Sequence, residues 1–285
     1  MRRIAIMQGR LLPREGGSIQ RFPRDRWREE FALAEEAGLD AIEWIYDAHG
    51  ADVNPLATDA GVAEMRTLSR RYGIAVVSLC ADYFLDSPFV RVAPHTAGDL
   101  TTHLIWLIGR CHHAGITRVV LPFVDAARID TPADERRTVD VVNHVLPVCA
   151  ATGVELHLET SLAPHAFSSL LARIPDPLLR VNYDSGNSAS LGHDVAGELA
   201  AYGARIGSVH IKDRINGGGT VALGTGDADL PALFSGLAGL RYQGDYVLQV
   251  ARGTEGGEVE WARRNRAFVV HQLGSVHSTA SRLGC

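Results

Sequence analysis

Residues 154–213 read VELHLETSLAPHAFSSLLARIPDPLLRVNYDSGNSASLGHDVAGELAAYGARIGSVHIKD. Three apolar runs stand in this stretch, at 154–159, 179–184 and 207–212. Taken with five further runs elsewhere in the chain, they make a set of eight that is mostly continuous, the pattern of parallel strands buried on both faces. Helical patterns at 165–173 and 194–203 separate them. Strand, helix, strand, helix, strand implies a parallel sheet with right-handed crossovers.

The alternation extends outward in both directions. Further strand runs are IAIMQ (4–8), AIEWI (41–45), AVVSLCA (75–81), RVVLPFV (118–124) and DYVLQV (245–250), which makes eight in all. The stretch 24–37 puts Trp27, Phe31 and Ala34 on one helical face and stops at Gly38. The stretch 97–114 does so with Leu100, Leu104, Leu107, Ile108 and Cys111. The stretch 132–152 opens with Thr131 as N-cap and Pro132 at the first helical position. Pro147 is expected to kink it or end its regular part. Shorter helices fit 59–72, 229–238 and 258–272. Eight strands alternating with eight helices in 285 residues predict one α/β domain over residues 1–285, a single (β/α)8 TIM barrel. An open doubly wound sheet is disfavoured, because QGRLLP stands where its glycine-rich turn belongs.

Composition narrows the partners. The chain is 46% hydrophobic and 21% charged, enough apolar material for a large core. Its net charge of −5 gives no general pull toward nucleic acid. No apolar run reaches the length of a membrane span. The opening MRRIAIMQGR has an apolar stretch too short for a signal peptide and reads as a first strand. Cys80, Cys111, Cys149 and Cys285 have no ligand or redox spacing, which fits reduced thiols in the cytoplasm.

Active sites of such barrels lie at the C-terminal strand ends. The last four strands end in Glu159, Asp184, His210 and Gln249, spaced 25, 26 and 39 residues apart. Each step is one strand–helix unit, the last with an enlarged loop. Two carboxylates, one imidazole and one amide oxygen suit a single divalent ion such as Mn²⁺, Mg²⁺ or Co²⁺, and also Zn²⁺. A sugar with adjacent carbonyl and hydroxyl oxygens fits the open positions. Such an ion stabilises the enediolate left when a proton departs from the carbon beside the carbonyl, and Glu159 is the natural base. Singly, each residue has an ordinary reading: a helix cap for either carboxylate, a hydrogen-bonded core histidine for His210. Their joint placement at four consecutive strand ends is what points to a metal.

At these residues the chain resembles the sugar and sugar-phosphate isomerase/epimerase group of the xylose-isomerase-like barrels. The similarity runs nearly the full length. It is carried by MQGRL, GLDAIEW (38–44), the glutamate of LHLET, the aspartate of YDSGN, HIKD (210–213), LGTGDADL (223–230) and YQGDY (242–246). The resemblance implies a Mn²⁺-like metal on Glu159, Asp184, His210 and Gln249, aldose–ketose isomerisation or epimerisation beside a carbonyl, and a homodimer. Many of these epimerases have a glutamate at the Gln249 position, serving as ligand and second acid/base. An amide cannot titrate in the useful range. Related ketose epimerases also carry histidine where Asn187 stands, and an arginine near the positions of Lys212 and Arg214.

Gln8 and Arg10 end the first strand and Glu43 the second. With Asn187, Lys212 and Arg252 they are the expected substrate contacts. Helix capping and surface ion pairs are the ordinary alternatives. Gly224 and Gly226 read as a backbone nest for an anion or as a tight turn. His157 lies deeper on the Glu159 face, and Asp82 is placed to reach the mouth. Two enzymatic readings share the enolate: isomerase or epimerase, and dehydratase of a keto-inositol-like substrate. A non-catalytic sugar-binding barrel is the other class. Abasic-site endonucleases share this barrel but use a three-zinc cluster and favour a basic face, whereas this chain shows one metal's worth of ligands and an acidic balance.

Overall fold

The computed structural model describes residues 2–283, with side-chain surroundings up to residue 276. Cys285 lies outside them. Eight parallel strands close into a barrel. They are β1 (Ile4–Met7), β2 (Ala41–Ile45), β3 (Ala75–Cys80), β4 (Arg118–Phe123), β5 (Glu155–Thr160), β6 (Leu179–Asp184), β7 (Ile206–Ile211) and, after a short hairpin of β8 (Asp213–Arg214) and β9 (Thr220–Val221), β10 (Tyr246–Leu248). β1 pairs with β2 on one side and β10 on the other, which closes the sheet. Every expected strand run forms a stave, with ends shifted by no more than two residues. The single (β/α)8 barrel expected from the pattern is the fold.

Local chemistry sets the helix boundaries. Thr131 Oγ1 accepts from the Asp134 amide, and the Asp134 carboxylate accepts from the Thr131 amide. With Pro132 at the first position, this capping box starts a helix at Pro132–Thr152. Gly153, at φ 71°, ends it in the left-handed region that favours glycine. Pro147 does not end this helix, which runs on to Thr152. Val145, Leu146 and Cys149 are buried against the barrel on both sides of it, while Pro147 itself faces solvent. Packing thus holds the helix on the sheet, and the carbonyl left without a donor faces the solvent side.

The core lies inside the barrel and between staves and helices. Trp27, Phe31 and Ala34 are buried as their spacing predicts, and Trp27 packs edge-on to Trp44 of β2 with ring centroids 5.6 Å apart. Their regular helix begins only at Glu29. The helix Pro94–Ala114 buries all five expected residues and starts at its own proline. The short helix Ser185–Leu191 has no counterpart in the sequence reading. It follows β6 with no intervening loop, and SGNSASL has little helical propensity or periodicity. No helix among the described residues is long and apolar enough to cross a membrane.

One motif is explained entirely by the backbone. The buried Asp213 carboxylate accepts from the amides of Gly224, Gly226 and Ala228 at 2.8–3.0 Å. The glycine nest is therefore filled by the chain's own aspartate. A Cβ on Gly226 would sit 2.3 Å from Asp213 Oδ1, so the close approach requires glycine. Asp213→Ala leaves these amides without an acceptor. At ~1–3 kcal/mol for each one stranded out of water, a loss of several kcal/mol is expected in urea unfolding.

Candidate metal centre

Strand geometry assembles the centre. In the β6–β7 register Asp184 sits opposite His210, and Asn182 opposite Ser208, one layer below. Glu159 lies on the neighbouring stave β5, and Gln249 just beyond β10, on the other side of β7. Donor atoms of Glu159, Asp184 and His210 all fall within 4.8 Å of one another. His210 Nδ1 is 3.4 Å from Glu159 Oε2 and 3.8 Å from Asp184 Oδ2. All three residues are buried.

Each donor is oriented by a fixed partner. His210 Nε2 lies 2.6 Å from Glu43 Oε1, with both side chains fully buried. That contact turns Nδ1 toward the carboxylates. Burial alone would lower the His210 pKa, but Glu43, Asp184 and Glu159 outweigh it and push it well up. Burial would raise the Asp184 pKa, but Lys212 and His210 hold it well below the usual carboxylate range. Asp184 divides its two oxygens. Oδ1 caps the helix Ser185–Leu191 by accepting from the Gly186 and Asn187 amides. Oδ2 accepts from Lys212 Nζ at 2.9 Å and faces His210. Capping and ligation are thus compatible in one carboxylate.

Glu159 accepts from Asn187 Nδ2 at 2.6 Å on Oε1 and from Asn182 Nδ2 at 2.8 Å on Oε2. Beneath it runs a buried polar chain: Asn182 Oδ1 accepts from Ser208 Oγ, which meets His157 Nδ1, whose Nε2 reaches Glu155. His157 therefore supports the floor of the site. Gln249 Nε2 donates to Gln20 Oε1, and its own Oε1 is buried with no hydrogen-bond partner. A buried acceptor of this kind costs stability unless something electropositive meets it. An amide oxygen, two carboxylates and an imidazole nitrogen fit a divalent cation.

Above the donors opens a cavity of about 430 Å³. Glu159, Gln249, Asn187, Lys212 and Arg10 line it. Arg10 donates to the Ile19 carbonyl and to Gln20 Oε1. Burial and the nearby Arg252 push its pKa down to about 9, so it stays cationic at neutral pH. Three expected substrate contacts lie away from the cavity. Gln8 is fully buried and accepts from the Ile45 amide. Glu43 lies under His210. Arg252 donates to the carbonyls of Leu12 and Ile19, fastening the loop that carries Gln20. Gln8 follows the end of β1 as expected, whereas Glu43 stands in the middle of β2, and both point into the packed interior. Asn182 and Ser208 escaped notice although each lies two residues before a donor, hence on the same strand face. Gln20 sits in an irregular loop that leaves no periodic signal.

Glu43→Gln keeps the shape but removes the charge that orients His210. A 10–100-fold loss of metal affinity is expected, read by calorimetric titration.

The profile of the xylose isomerase-like TIM-barrel family matches residues 31–269. No curated protein matches the chain. Several solved structures do so across nearly their whole length. An L-ribulose 3-epimerase is 19% identical, with TM-score 0.78 and 100% of this chain and 99% of that one covered. A D-allulose 3-epimerase from Methylomonas sp., solved with D-allulose, is 17% identical, with TM-score 0.71 and 95% and 98% covered. An IolI protein with a bound zinc atom is 17% identical, with TM-score 0.75 and 96% and 99% covered. At these identities the structures establish a shared fold, and the match over residues 31–269 establishes the lineage: the chain belongs to the xylose isomerase-like TIM-barrel family.

Proposed function

We propose that the protein is a divalent-metal-dependent isomerase or epimerase of a sugar or sugar phosphate. The observation that carries this reading is the donor set of Glu159, Asp184 and His210 at a polar cavity that Gln249, whose Oε1 has no partner, also lines. The epimerase names of the structural neighbours and the zinc atom in one of them agree with it.

A bound divalent ion supplies positive charge where a substrate carbonyl oxygen becomes negative. The chain's own residues do the rest. Glu159 removes the proton from the carbon beside the carbonyl. Asn182 and Asn187 hold its carboxylate in place, so little reorganisation is needed. Lys212 and Arg10 offer donors to substrate oxygens across the cavity. Manganese fits the oxygen-rich donor set, and zinc also does. A homodimer follows from the family resemblance, and a cytoplasmic location fits the free Cys80, Cys111 and Cys149.

The test joins metal analysis to product analysis. Purified protein is loaded with Mn²⁺, Co²⁺ or Zn²⁺ and given a panel of ketoses and ketose phosphates, and products are followed by NMR. One metal per chain is expected, with conversion that chelation abolishes. Loss of water instead of isomerisation would assign a dehydratase. Sugar binding without turnover would leave a non-catalytic barrel.

A further inference from the structure

Gln249 cannot accept or donate a proton at carbon, so a reaction that inverts a centre needs a second acid elsewhere. Asp82, two residues beyond the end of β3, lines the same cavity as Glu159 and Gln249. Its Oδ2 accepts from Gln20 Nε2 at 2.7 Å, and its Oδ1 accepts from Cys80 Sγ at 3.1 Å. Gln20 is itself fixed. Its Oε1 accepts from Gln249 Nε2 at 3.1 Å and from Arg10 at 3.2 Å. Two amides in series thus connect Gln249, which cannot titrate, to a carboxyl that can.

We propose that Asp82 is the second acid of this barrel, delivering a proton to the substrate carbon on the face opposite Glu159. The inference rests on the proton-transfer reading above and narrows it to epimerisation. Glu159 breaks the C–H bond and keeps the proton, while the electron pair moves onto the carbonyl oxygen. The Asp82 O–H bond then breaks, and its proton forms the new C–H bond on the other face. Glu159 is left protonated and Asp82 ionised. Transfer of one proton between them through water restores both, so the cycle needs no other reactant.

The surroundings suit this role. Burial raises the Asp82 pKa to about 6, with Glu159 and Asp47 adding to the rise and the bonds from Gln20 and Cys80 opposing it. Arg10 faces it from the end of β1, and Asp86 and Asp125 stand on the rim of the cavity. Burial, with Asp82 and Glu43 nearby, pushes the Cys80 thiol up, so it remains a donor to Asp82. A carboxyl titrating near 6 is protonated often enough at neutral pH to act as a general acid.

The test compares two readouts on metal-loaded protein in D₂O: epimer formation and deuterium wash-in to unreacted substrate. With Asp82→Asn, epimer formation is expected to fall ~100-fold or more while wash-in stays within a few-fold of wild type. The wild-type profile of epimer formation should decline above pH ~6, a limb that Asp82→Asn removes. Asp82→Glu, which keeps an acid, should retain more epimer formation than Asp82→Asn. Equal losses of both readouts, unchanged epimer formation, or aldose–ketose isomerisation as the sole reaction would overturn the role of Asp82 and leave Glu159 chemistry standing. No wash-in by wild type with any sugar would overturn both.

Discussion

Glu159→Gln is expected to slow proton exchange beside the substrate carbonyl by about 10³-fold, within the 10²–10⁴ range for loss of a general base. This corresponds to ~4 kcal/mol of transition-state stabilisation. The substitution preserves length and shape but removes the only cavity-lining carboxylate among the three donors that lie within 4.8 Å of one another and also receives two asparagine amides. Metal binding should weaken yet persist, since Asp184, His210 and Gln249 remain. Deuterium wash-in and metal titration on the same sample separate the two effects. Exchange within tenfold of wild type, with metal bound, would remove Glu159 as the base.

Asp184→Asn should give the largest loss of metal affinity that leaves the fold intact. Asparagine is as good an N-cap as aspartate, so the Gly186 and Asn187 amides keep an acceptor and the helix Ser185–Leu191 keeps its start. The charge facing His210 and Lys212 is lost. The affinity should fall by more than the ~100-fold typical of losing an outer partner of a ligand. Asp184→Ala removes cap and charge together, and should add ~1 kcal/mol of destabilisation in chemical unfolding. An unchanged affinity in Asp184→Asn would mean that Asp184 serves only as a cap.

The barrel was legible because parallel staves buried on both faces are largely apolar, as IAIMQ, AVVSLCA and RVVLPFV are, and helical patterns alternate with them. The cluster of Glu159, Asp184 and His210 was legible because polar atoms at the ends of neighbouring staves converge in a closed barrel. What surrounds them was less so. The sequence reading puts Glu43 at a strand end, whereas it stands mid-strand in β2, and spacing does not say that its side chain turns under His210. Gly224 and Gly226 looked like an anion nest, and the anion is Asp213, eleven residues earlier. Gln20 sits in a loop fastened by Arg10 and by Arg252, which is far along the chain. Long-range contacts of this kind leave no local pattern. Pro147 shows the converse, a local rule overridden by packing on both sides.

The central claim is that this site moves a proton at a carbon beside a carbonyl. Its most direct test is solvent-deuterium incorporation by the metal-loaded wild-type protein into a panel of ketoses and ketose phosphates, read by NMR. The expected result is incorporation at the carbon next to the carbonyl in at least one sugar, abolished by chelation. Protein carrying one metal per chain that leaves every carbon of every sugar unexchanged would contradict it.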